Sequence, residues 1–226
     1  MKRVITALLA ALLVLSLAAC GSRVETKKLA GTWTCTVDVT DRMNAAAEQA
    51  LGLSAADGTA QMPLQLVLTV AEDGAYTLRY DSDAVRTALD AYAAALRPAA
   101  VESVYAAAEE QGLSREEYDA AMEKAGITMD DMVAAIFAGV DEEELLSLLT
   151  GRSAALTGYC RAEGGQLYLA DTAAELAETA DCLSYTLSDG TMTWTDAQGE
   201  LSSQLTEQEQ ELLRVPLTWT KQEESK

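Results

Sequence analysis

Histidine is absent from this 226-residue chain. That removes the commonest general base, the commonest transition-metal ligand and every catalytic triad built on an imidazole. Basic residues are scarce as well: 16 Lys and Arg stand against 36 Asp and Glu, a formal charge of −20. Such a balance argues against nucleic-acid binding, which needs a basic footprint, and favours a soluble folded region. The four cysteines, at positions 20, 35, 160 and 182, form no C-x-x-C pair of the kind that holds zinc or does redox chemistry. A Gly-x-Ser-x-Gly elbow and a phosphate loop are also missing. Acids abound, yet nothing distinguishes a glycosidase-like carboxylate pair from the solvated acidic faces around it. These absences lead to the expectation of a protein that is not an enzyme and carries no metal or cofactor.

The first thirty residues are informative. Lys2 and Arg3 precede an apolar stretch, Val4 to Ala19, closed by small residues before Cys20. The stretch is short for a membrane span, which needs about 20 residues, and has the layout of an export signal. Leu17-Ala18-Ala19-Cys20 also resembles the lipobox of bacterial lipoproteins. The resemblance implies a signal peptide over 1–19, cleavage before Cys20, and a diacylglyceryl group on the Cys20 thiol. The alternative is an ordinary signal cut nearby, with Cys20 incidental. Under the lipoprotein reading the protein sits on the extracytoplasmic face of a bacterial cell membrane, or on the outer membrane where the host has one. Residues 20–28 are then the tether. Loss of Lys2 and Arg3, with every acid retained, moves the formal charge to −22. The remaining cysteines, Cys35, Cys160 and Cys182, are an odd number and allow one disulfide or none.

From Leu29 the text turns to strand. In "LAGTWTCTVDVT", Trp33, Cys35, Val37 and Val39 alternate with Thr32, Thr34, Thr36 and Asp38, the period of a half-buried strand. An Ala-rich stretch from Asp41 to Leu51 predicts a short helix ending near Gly52. "MPLQLVLTVAEDGAYTLRYD" then predicts two strands turned at Asp73-Gly74. Further hairpins are expected at Gly164-Gly165 and Asp189-Gly190, and a last strand in "VPLTWTK". The total is eight antiparallel strands, enough for a small closed barrel; a two-sheet sandwich would show the same alternation. The expected inward set is Trp33, Val37, Leu66, Leu68, Tyr76, Leu78, Leu167, Leu169, Leu183, Tyr185, Met192, Trp194, Leu217 and Trp219. Cys35 and Cys160 fall on that phase and Cys182 on the other. Filling of the barrel is the expected role of the aromatic residues.

Between the third and fourth strands the period changes. Residues 82–150 carry 15 acids and four bases and repeat apolar residues at helical spacing: Val85, Leu89, Tyr92, Leu96, then Val101, Val104, Tyr105 and Ala108. Arg97-Pro98 predicts a break between two helices. Three shorter helices are expected after them, opened by "GLSREEY", "GITMDDM" and "GVDEEEL". The acids of these phrases are consecutive, without the alternating ligands of a calcium loop. As helix starts each position has a role: Ser114, Thr128 and Asp141 are N-caps, with Glu117, Asp131 and Glu144 completing capping boxes. Leu113/Tyr118, Ile127/Met132 and Val140/Leu145 are staples, and Gly112, Gly126 and Gly139 end the preceding helices. The spacing is too short for a solenoid of two-helix repeats.

"LAGTWTC" resembles the Gly-x-Trp opening of lipocalins, with Gly31 and Trp33 in the matching places. "AEDGAYTLRY" is similar to the second hairpin of small lipocalin-like domains in bacterial lipoproteins, and the last three strand blocks are similar in style to the rest of such a meander. The resemblance spans about 100 residues on either side of the helical block. It implies an up-and-down barrel open at one end, with Trp33 near the closed end, and it implies binding of a small apolar ligand. The sequence does not decide whether Lys221 takes the place of the basic residue that the family sets near that Trp. The second lipocalin motif is missing, because the helical block intrudes there.

The expected architecture is therefore mainly β with a helical insertion (α+β). A lipocalin-like barrel occupies 29–81 and 154–221, an acidic insertion 82–150, and a tail 222–226. Its expected partners are the membrane, through Cys20, and a small apolar ligand, with the insertion as a lid or as a surface for a protein partner. Nucleic acid is not among them.

Overall fold

The computed structural model describes residues 25–53, 60–138, 155–178, 182–198 and 213–223. In chain order the elements are β1 (Gly31–Asp38), α1 (Thr40–Leu51), β2 (Pro63–Val70), β3 (Ala75–Tyr80), α2 (Ser82–Glu110), α3 (Arg115–Ala125), α4 (Met129–Phe137), β4 (Leu156–Glu163), β5 (Gln166–Ala170), β6 (Cys182–Ser188), β7 (Thr191–Gln198) and β8 (Leu217–Lys221). Each strand neighbours the next in sequence and β8 returns to β1, closing an eight-stranded barrel. Closure settles the choice between barrel and sandwich and leaves no free strand edge.

The hairpins form where the sequence supplies residues that tolerate a positive φ. Gly164 and Gly165 lie at φ 60° and 78°, and Asp189 and Gly190 at 45° and 76°, both central positions of the turn being left-handed as a type I′ hairpin needs. At the β2–β3 turn the Gly74 N–H donates to the Ala71 carbonyl at 3.0 Å, and the Asp73 carboxylate accepts from Ala75 N–H at 3.0 Å. Strand direction alternates around the barrel, so these three tight turns share one end with the start of β1 and the finish of β8. All longer connections leave from the opposite strand ends.

Nine of the fourteen expected inward residues are buried: Trp33, Leu66, Leu68, Leu167, Leu183, Met192, Trp194, Leu217 and Trp219. Val37, Tyr76, Leu78, Leu169 and Tyr185 are half-buried. A bulge keeps the phase of β6 and β7 consistent. Ser184 faces Asp196 while Tyr185 faces Trp194, so Thr195 is the extra residue, and its hydroxyl donates to the Ser184 carbonyl at 3.2 Å.

The described residues divide into two compact units. One holds residues up to Cys35, Leu66–Tyr80 and those beyond 154, hence β3 to β8 and the adjoining parts of β1 and β2. The other holds Thr36–Gln65 and the described residues of Asp81–Ser153, hence the four α-helices. In this second unit α2 buries a row at near-regular spacing: Val85, Ala88, Tyr92, Leu96, Ala100, Val104 and Ala108. The Tyr92 hydroxyl donates to Asn44 Oδ1 of α1 at 2.7 Å.

The expected break at Arg97-Pro98 does not occur; α2 runs through Pro98 for 29 residues. Proline there removes the hydrogen bond to the Ala94 carbonyl. Both Pro98 and Ala94 are exposed, so water can serve that carbonyl, while the buried row continues unbroken on either side. The capping reading of the acidic phrases holds where it can be seen. Ser114 with Glu117, and Thr128 with Asp131, make complete capping boxes. Gly112 and Gly126 have φ of 81° and 70°. The third phrase, from Gly139 to Leu145, and the helix expected there lie outside the described residues. The helix α3 has no buried residue of its own and joins α2 by polar contacts. Arg115 stacks on Tyr105 at 4.7 Å and pairs with Glu102 at 2.7 Å and Glu109 at 3.3 Å, and Tyr105 donates to Asp119 at 2.9 Å. Arg97 and Asp130 pair α2 with α4.

Candidate binding site in the barrel

The end of the barrel that carries the tight turns is closed by side chains from three segments. Residues 25–29 form a helical turn, so four residues of the expected tether, 25–28, belong to the folded part. Glu25 accepts from Gly164 N–H at 2.8 Å and the buried Thr26 hydroxyl accepts from Ala162 N–H at 3.0 Å. Leu29 is 1% exposed, and its carbonyl accepts from the Trp33 indole N–H at 2.7 Å. Trp33 pairs directly with Lys221 across β1 and β8, and the Lys221 ammonium lies 5.3 Å from the centre of the Trp33 ring. Gly31 allows this arrangement. Its φ is 128°, and a Cβ there would stand 2.7 Å from Lys221 Cε. The two residues singled out by the Gly-x-Trp phrase are thus brought together with Lys221 at the closed end. Cys20 lies outside the described residues.

Further along the interior, Trp194 and Trp219 pack at 4.8 Å between ring centres, from adjacent strands. Both are buried, and neither indole N–H has a hydrogen-bond acceptor among the described residues. Sequence reasoning assigned these rings to filling; alternation places them inside but carries no information on the fate of their polar edges.

The three thiols offer no nucleophile. Cys35, Cys160 and Cys182 are all buried. Burial, with the charge of Asp73 added, pushes the Cys160 thiol up to about 12. Burial raises Cys35 too, against a smaller opposing effect from a hydrogen bond with the Thr218 backbone. Cys160 stands opposite Leu169 and Cys182 opposite Tyr168, adjacent positions on β5, so the two cysteines face opposite sides of the sheet. Burial also raises the Tyr185 phenol, with Glu25 and Cys160 adding to it. Among the described residues no charged side chain is buried, and no group of three or more potential ligands could hold a metal ion. What this interior presents is apolar surface and two indole donors.

No helix of the described residues is long and apolar enough to cross a membrane. No protein-family profile, curated protein or solved structure matches this chain.

Proposed function

We propose that this protein is a non-enzymatic, lipid-anchored extracytoplasmic lipoprotein whose lipocalin-like barrel binds a small apolar ligand. The observation that carries the reading is the closed end. Gly31, Trp33 and Lys221 meet there in an eight-stranded up-and-down barrel, the arrangement that the Gly-x-Trp resemblance implies. An interior of Trp, Leu and Met side chains suits an apolar guest. Docking of residues 25–29 adds a geometric consequence. With Cys20 as the lipid attachment site, the five residues Cys20 to Val24 separate it from the docked turn, a reach of at most roughly 17 Å. The closed end then faces the bilayer and the strand ends with long connections face away.

Native mass spectrometry of the soluble Cys20→Ser protein, purified from its source, tests ligand binding. A co-purifying lipid-like mass is expected. Empty protein, together with no thermal shift across a lipid panel, would overturn the reading. Anchoring is tested separately: Cys20→Ala is expected to abolish metabolic labelling with palmitate, and labelling that persists would remove Cys20 from its role.

A second reading is favoured by the insertion. The helix α3 buries no residue, and Leu113 and Ile127 are 38% and 42% exposed beside acidic first turns. Here the barrel is a platform and the insertion meets a protein partner. Leu113→Ser with Ile127→Ser would then abolish cell-surface crosslinks while leaving ligand binding intact; unchanged crosslinks would discard this reading.

A further inference from the structure

We infer that Trp194 and Trp219 are a donor site for an uncharged acceptor group, of the carbonyl class, on an apolar ligand held inside the barrel. The inference rests on the ligand-binding reading and names the chemistry of that site. Trp194 is 4% exposed and Trp219 is fully buried. Their neighbours on β7 and β8 alternate with exposed or half-exposed threonines, Thr193, Thr195, Thr218 and Thr220, so both indoles face inward. The register sets Trp194 opposite Leu217 and Trp219 opposite Met192, which makes the two rings diagonal neighbours.

Buried indole N–H groups ordinarily find an acceptor. Trp33 follows that rule, donating to Leu29 at 2.7 Å, whereas Trp194 and Trp219 have no acceptor among the described residues. Two unsatisfied donors side by side in one small barrel mark a place where an acceptor is expected from outside the chain. Water fits less well, because it would accept from the indoles while its own two O–H groups find no acceptor on the cross-strand neighbours Leu217 and Met192. A carboxylate fits poorly as well. No charged side chain is buried among the described residues, and an anion there would be desolvated without a counter-charge. Lys221, the inward-phase cation of β8, is engaged over Trp33 at the closed end. A neutral ester, amide or ketone oxygen on an apolar body can accept both hydrogen bonds without bringing charge into the interior.

The test uses the Cys20→Ser chain, labelled with ¹⁵N, and three probes of similar size: methyl decanoate, decanoate and dodecane. Methyl decanoate is expected to move the Trp194 and Trp219 indole N–H signals downfield and to leave that of Trp33 in place. Dodecane is expected to bind without the downfield movement. Replacing both residues, Trp194→Phe with Trp219→Phe, should weaken methyl decanoate roughly 5- to 100-fold, the size of two lost hydrogen bonds, and leave dodecane unchanged. The movement in the unaltered chain stands as a readout even where a Phe variant folds poorly. Equal binding of ester and alkane without movement, tighter binding of decanoate than of its ester, or indole signals already in exchange with an internal water would overturn the inference while the binding reading stands. Failure of all three probes to bind would overturn both.

Discussion

The Lys221 ammonium sits over the Trp33 ring at 5.3 Å, while the same indole donates its N–H to the Leu29 carbonyl at 2.7 Å. One side chain thereby joins the helical turn at 25–29, the first strand and the last. Trp33→Phe keeps an aromatic face for Lys221 but strands a buried carbonyl, and is expected to cost about 1–3 kcal/mol in urea unfolding. Lys221→Ala removes the cation and the stem that lies over Gly31, and is expected to cost roughly 0.5–1.5 kcal/mol. A Trp33→Phe effect within about 0.3 kcal/mol of zero would show that the Leu29 contact contributes nothing.

Two glycines with left-handed backbones differ in what surrounds them. A Cβ on Gly74, at φ 91°, would lie 2.4 Å from the Cys160 carbonyl oxygen, on a backbone that also bonds Cys160 N–H to the Gly74 carbonyl at 2.7 Å. A Cβ on Gly112, at φ 81°, would meet nothing within 4 Å. Gly112→Ala is expected to cost about 1 kcal/mol from backbone strain alone. Gly74→Ala must also push two strands apart and is expected to cost at least about 2–4 kcal/mol. Chemical denaturation of both variants checks the order; equal losses would mean that the hairpin yields without cost.

The strands were legible because alternation and Gly or Asp-Gly turns specify a hairpin within some ten residues of chain. Helix starts were legible for the same reason: Ser114–Glu117 and Thr128–Asp131 are local devices. The continuity of α2 through Pro98 was not, because it depends on Pro98 and Ala94 both facing solvent while Tyr92, Leu96 and Ala100 stay buried. Nor was the docking of Glu25 and Thr26 on Gly164 and Ala162, bonds between residues more than a hundred positions apart. The indole pair combines both cases. Alternation put Trp194 and Trp219 inside, but only the three-dimensional surroundings show that their N–H groups lack acceptors.

The thiols give a third prediction. In the Cys20→Ser protein at pH 8, the Cys160 thiol, pushed up to about 12, is in its reactive form roughly once in ten thousand. Cys35 and Cys182 are shielded by burial. Ellman's reagent is expected to find essentially no reactive thiol in the native protein and all three after unfolding in guanidinium without reductant. A single thiol after unfolding would reveal a disulfide, and a bridge mapped to Cys160 and Cys182 would contradict their opposite-face placement.

Acid should loosen the insertion through its caps. Hydrogen bonds from the backbone and hydroxyl of Ser114 hold the Glu117 carboxyl below its ordinary range, and those from the hydroxyl and backbone of Thr128 do the same for Asp131. A carboxyl whose folded value is depressed contributes its stabilisation fully above the unfolded value, here near pH 4–5, and loses it as pH falls through the folded value. Relief of repulsion among the many acids acts in the opposite direction on the whole chain. The caps are therefore read by difference, comparing the unaltered protein with the Glu117→Ala, Asp131→Ala variant. Helix content followed by circular dichroism should be lower in the variant by a constant amount above the ordinary carboxyl range, and the gap should narrow as pH falls below that range. A gap that does not change with pH would mean that α3 and α4 are held without their capping carboxylates, by contacts such as Arg115 with Glu102 and Arg97 with Asp130.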